Sequence, residues 1–94
     1  MTALNEESVI APVPERPARK YLRGIIIDPG LALNSVAADI YELLDGKRTL
    51  RDVATRIAAE YDVTEDQCRA DAVNLAIELV DEGVARVVAQ YGST

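Results

Sequence analysis

The sequence predicts an α+β fold in which a small antiparallel β-sheet is followed by three α-helices. Three observations lead there. A β-branched run in "YLRGIIID", residues 21–28, is interrupted by the turn chemistry of "DPG" before "LALN" resumes an extended pattern. Three later segments repeat apolar residues at helical spacing, and each opens on a residue able to cap a helix. Finally, 94 residues suffice for one small core and exclude a second domain.

Residues 1–20 contain Pro12, Pro14 and Pro17 and pass from acidic (Glu6, Glu7) to basic (Arg16, Arg19, Lys20, with Arg23 just beyond). With little apolar periodicity, they are expected to form a flexible or loosely held N-terminal segment. The folded domain is expected over residues 21–88, with 89–94 as a tail. Its first part is the hairpin or meander of residues 21–33. In helix one, Asn34 or Ser35 caps the exposed N–H groups, Val36, Ile40, Leu43 and Leu44 recur at helical spacing, and Gly46 supplies a left-handed stop. "DGKR" then reverses the chain. Helix two opens at Thr49 with Asp52 three residues on, close to a capping box, and carries Leu50, Val53, Ala54, Ile57, Ala58 and Tyr61 along one side. Helix three repeats the device with Thr64 and Gln67, runs to about Glu82 and stops at Gly83. The closing "VARVV" suits a short strand or a packed tail. A strand, a capped helix, a glycine turn and a second capped helix make the whole winged helix-turn-helix-like.

Helix three carries the most information. At about 100° per residue, Cys68, Ala72, Leu75, Ala76 and Leu79 share the arc that a helix normally buries. Beside this stripe runs a second apolar row, Val73, Ile77, Val80 and then Val84. Either the strands of residues 21–33 cover that row, or the row and a strand edge form an open groove for an apolar peptide. Ala72 and Ala76 are small for a packed helix, which fits either a shallower core or a roomier groove. The remaining arc, Asp71, Asn74, Glu78, Asp81 and Glu82, is a wet acidic face.

Composition removes several chemistries. Sixteen acidic residues stand against ten basic ones, and helix three offers a DNA backbone only Arg69 before a series of carboxylates. Phosphates would be repelled, so nucleic acid is not the expected partner. Without histidine, and with one cysteine, there is no expected metal site, proton shuttle or internal disulfide. Cys68 falls on the buried stripe and reads as a core thiol. The five glycines are dispersed and make no phosphate loop, so no cofactor is expected. Ser35 invites comparison with a phosphopantetheine-bearing carrier, but its context is Asn34-Ser35-Val36, which suits a helix cap. No apolar run approaches the length of a membrane helix, and the N-terminus lacks signal-peptide order, so the chain is expected in the cytoplasm.

Taken together, residues 31–84 resemble the PqqD family, the small winged-helix-like peptide chaperones also called RiPP precursor recognition elements. The resemblance lies in the apolar strand ending at Leu33-Asn34, "AADI" of Ala37 to Ile40, "LLDGKRT" of Leu43 to Thr49, "IAAEY" of Ile57 to Tyr61, and Asp71, Leu75, Leu79 and Gly83 on the last helix. It implies a non-catalytic protein that binds the leader of a ribosomally made precursor peptide and presents it to a modifying enzyme, such as a radical SAM enzyme or a leader protease. It further implies that the leader adds as an antiparallel strand. The docking edge would be Leu31, Ala32, Leu33 and Asn34, and the facing helix surface Val73, Ile77 and Val80, while Arg69 either meets an acidic leader or is a solvated first-turn arginine. Pro29 would confine pairing to the residues after it. Some relatives act as homodimers or as domains fused to the enzyme, and the resemblance leaves both open. The competing expectation is a winged-helix transcription regulator or protein-interaction module.

Overall fold

A computed structural model describes residues 4–16, 18–21, 24–27 and 31–90. The chain runs through β1 (Ser8–Pro12), β2 (Ala18–Tyr21), β3 (Gly24–Ile27) and β4 (Leu31–Leu33). It continues with α1 (Ser35–Leu43), α2 (Leu50–Tyr61), α3 (Glu65–Asp81) and β5 (Ala85–Gln90). The turn around Pro29, and Arg23 of the basic group, lie outside the described residues.

β2, β3 and β4 form an antiparallel sheet in that order, with Ile25 opposite Leu33 and Ile27 opposite Leu31. Ile25, Ile27 and Leu33 enter the core, as the period-two pleat requires. A second sheet pairs β1 with β5, running from Ser8 opposite Gln90 to Pro12 opposite Ala85, with an irregularity between Val9 and Ile10. Here the structure departs from the expectation of a loosely held residue 1–20 segment. Val9 and Ile10 are buried, and buried Ser8 is satisfied by the Asn5 N–H at 3.1 Å and by Gln90 Oε1 at 3.2 Å. Strand β5 likewise extends beyond the expected boundary at residue 88.

The helix starts follow their capping residues. Asn34 Oδ1 accepts the Ala37 N–H at 2.9 Å, so Asn34 rather than Ser35 is the cap of α1. Thr49 and Asp52 form a complete reciprocal capping box. Thr64 accepts the Gln67 N–H, but the Gln67 side chain donates forward to Asp71 at 3.0 Å, leaving only half a box. α3 stops at Glu82 and Gly83 as expected, whereas the stop of α1 differs. α1 ends on extended Leu44, and Gly46 uses its positive φ two residues later, where its N–H donates to Ile10 O and an added Cβ would stand 3.3 Å from Ala11 Cβ. α2 ends on left-handed Asp62, a role open to Asp at modest cost.

One cluster unites Ile10, Ile25 and Ile27 of β3, Leu33, Ile40, Leu44, Leu50, Val53, Ile57, Leu79 and Val84. Helix α3 packs on α2 while both helices bury alanines: Ala54 and Ala58 on one, Ala72 and Ala76 on the other. Ala72 and Ala76 are almost fully buried, so the alanines of α3 belong to the core and not to a groove. Val84 is fully buried past the turn at Gly83, and so leaves the second apolar row in which its spacing had placed it. Tyr61 and Val36 are exposed; the Tyr61 hydroxyl donates to the Asp39 carboxylate.

Candidate functional site

The sheet places β4 at an end. Leu31–Leu33 pairs with β3 on one side, and among the described residues no strand lies on the other. Leu33 is buried, Leu31 is half-buried and packs on the core, and Ala32 is exposed. Such an edge presents backbone donors and acceptors to any extended chain that reaches it. Asn34 is exposed, but its side chain caps α1 and its carbonyl accepts the Ala38 N–H at 2.7 Å, so that carbonyl is not open to an added strand.

On α3, Cys68, Ala72, Ala76 and Leu79 are buried, while Leu75 is half-buried against the core. Val73, Ile77 and Val80 are all half-buried on the adjoining flank. Val73 and Val80 pack on the core, and Ile77 is not among the residues that do. Arg69 begins this flank, and it is already engaged: its Nε lies 3.0 Å from Glu6 Oε2, with Glu65 and Asp66 of its own helix also on the guanidinium. Arg69, Ala70, Val73 and Asn74 line a shallow depression together with Glu6 and Asp66. None of Leu31–Asn34 lines it. β4 packs on β3 and α1, whereas α3 packs on α2, β5 and α1. The structure thus brings Arg69 and Val73 to one depression, which the β4 edge does not line.

Glu6 is the site residue that sequence reasoning missed. The acidic pair Glu6-Glu7 was visible, but its partners are remote in sequence: Arg51 takes both carboxylates and Arg69 takes Glu6. The hydrogen bond that Arg51 Nε donates to the Glu7 carboxylate and the nearby charge of Glu6 strengthen the hold of Arg51 on its proton. A second concavity, between α1 and α2, is rimmed by Asp39, Glu42, Arg56 and Glu60 over Leu43 and Ala59. Beside it, Lys20 pairs with Glu42 at 3.1 Å.

Other chemistries find little footing. Burial pushes the Cys68 thiol up from its ordinary value, and the charges of Asp71 and Glu65 push the same way, which is opposite to what a nucleophilic thiolate needs. Among the described residues no three potential ligands cluster to hold a metal ion, and no helix is long and apolar enough to cross a membrane. Asp71, Asn74, Glu78 and Asp81 on α3 and Glu82 at its C-cap are exposed, as the wheel requires, and their four carboxylates would repel a phosphate backbone. Of the basic group, Arg16 donates to Glu82 O at 3.1 Å and Lys20 is bound to Glu42.

No curated protein and no solved structure matches this chain. The family model described as coenzyme PQQ synthesis protein D (PqqD) matches residues 23–85. Since that span takes in β3 and β4, all three helices and the turn into β5, which is more than half of the sequence, the chain belongs to the PqqD family.

Proposed function

We propose that this chain is a non-catalytic peptide-binding protein. It docks the leader of a ribosomally made precursor peptide and presents the remainder to a modifying enzyme, such as a radical SAM enzyme or a leader protease. The observation that carries the reading is the far edge of β4, which no strand covers among the described residues, in a chain of the PqqD family. An extended leader adds to such an edge by backbone pairing, and alternate side-chain contacts supply selectivity. Pairing alone is insufficient over three residues. Ordering each leader residue costs about 1–2 kcal/mol, while each backbone hydrogen bond returns about 0.5–1.5 kcal/mol net. Apolar anchors must make up the difference, and Val73, Ile77 and Val80 are the half-buried side chains offered for them.

The test uses a synthetic leader from a precursor peptide of a PqqD-family pathway, N-methylated at alternate amides in two complementary phases. A strand added to β4 points every second N–H at the protein. One phase should therefore lose at least about tenfold in affinity, with the other near the unmodified peptide. Equal effects in both phases would rule out strand addition.

A further inference from the structure

We infer that Leu4–Glu7 is a displaceable clasp, which occupies one end of the α3 flank in the free protein and competes with the docking peptide for Arg69. The inference rests on the peptide-binding reading above and adds a regulatory element to the same site. Its basis is a shared position: the Glu6 carboxylate holds Arg69 Nε at 3.0 Å and lines the same depression as Val73, a proposed anchor. A peptide seated on Val73 with an acidic group toward Arg69 meets Glu6 already there.

The segment is fastened in a way that permits release. The Arg51 N–H donates to Glu6 O at 2.7 Å, the Arg51 side chain pairs with Glu6 and Glu7, and Asn5 Oδ1 accepts the Glu7 N–H at 2.8 Å. These ties lie at the surface, where ion pairs are weak and screened by salt. Leu4 is only partly buried against the core. One residue beyond the clasp the character changes, since Ser8, Val9 and Ile10 are buried and paired in the sheet. Release therefore ends at Ser8 and leaves the fold intact. Its cost falls on two residues: Arg51 lies in the first turn of α2, where an N–H without an intrahelical partner is readily taken by water, and buried Ser8 gives up the Asn5 O acceptor of its N–H and the Asn5 N–H at its Oγ, which keeps Gln90 Oε1. On Arg69, one carboxylate exchanges for another.

The experiment uses the full chain, its Glu6→Gln and Glu65→Gln variants, and the synthetic leader already described. Glu65 also pairs with Arg69, but from within α3, so its variant changes the charge around Arg69 without touching the clasp. Glu6→Gln should bind the leader about two- to fivefold tighter, and Glu65→Gln should stay near the unsubstituted chain. In the unsubstituted chain, leader binding should speed hydrogen exchange at the amides of Arg51 and Ser8, whose acceptors are Glu6 O and Asn5 O. Unchanged affinity in Glu6→Gln, an equal gain in Glu65→Gln, or slowed exchange at both amides would overturn the clasp while leaving peptide binding in place. Absence of binding by all three chains would overturn the peptide-binding reading, and the clasp with it.

Discussion

Replacing Ile77 with Asp should separate folding from peptide binding. Ile77 is half-buried on the α3 flank and is not among the residues packed on the core, so part of its surface remains for a ligand to cover. Full burial of an isoleucine is worth about 1.5–3 kcal/mol, and about half of that is at stake here. Placing a carboxylate against an apolar leader adds a further penalty of about 1–3 kcal/mol. The combined loss, about 2 kcal/mol or more, corresponds to at least ~30-fold in affinity. The folded state loses less. Asp near the end of α3 opposes the helix dipole by about 0.3–1 kcal/mol, and repulsion from Asp81 four residues on adds about 0.2–0.5 kcal/mol. Together with some packing, this should lower the melting midpoint by roughly 5–15 °C and leave a folded protein at 25 °C. Circular dichroism melts and a polarisation titration with labelled leader read the two effects separately. Ala76→Asp is the contrast: that side chain is 1% exposed, and an unpaired carboxylate there should unfold the chain. Should Ile77→Asp unfold too, Ile77 belongs to the core; should it fold and bind normally, the α3 flank is not the docking surface.

Two further predictions concern titrating groups. The Arg48 and Lys47 N–H groups, donating to Asp45 at 2.9 Å each, hold its carboxyl below the usual range. Its contribution to stability is therefore complete above about pH 4 and lost as the pH falls through the lowered value. The denaturant midpoints of the unsubstituted chain and Asp45→Asn should differ by a constant amount above pH 4 and draw together in acid; a gap that fails to narrow as the pH falls would show that the charge does not hold this turn. Buried Cys68, its pKa raised, should react with a thiol reagent at neutral pH only as fast as the protein opens. Labelling at the rate of an unstructured cysteine would contradict the burial.

Local chemistry in the sequence accounts for much of this architecture. Asn34, Thr49 and Thr64 cap the three helices because a short polar side chain reaches an N–H three residues on, which depends on nothing remote. The wheel finds the buried stripe of α3 through Cys68, Ala72, Ala76 and Leu79 for the same reason. What escapes is set by distant partners. β1 has prolines at its end and beyond, and becomes a buried strand only because β5 arrives more than seventy residues later. Val84 follows the helical spacing, yet the turn at Gly83 swings it into the core. Arg69 reads as a solvated arginine until Glu6 is brought to it from the other end of the chain. The β4 edge was legible as a short apolar strand, but its terminal place in the sheet depends on strand order, which no local pattern encodes.

The antiparallel register that sets Ser8 opposite Gln90 puts the entry and exit of the folded unit side by side. A unit built this way can be carried as a cassette within a larger polypeptide, because its two connections meet the host at one point and need not span its width. The same geometry makes circular permutation practical: a short linker could join the two ends, and new termini could open in the exposed turn at Asp62 and Val63.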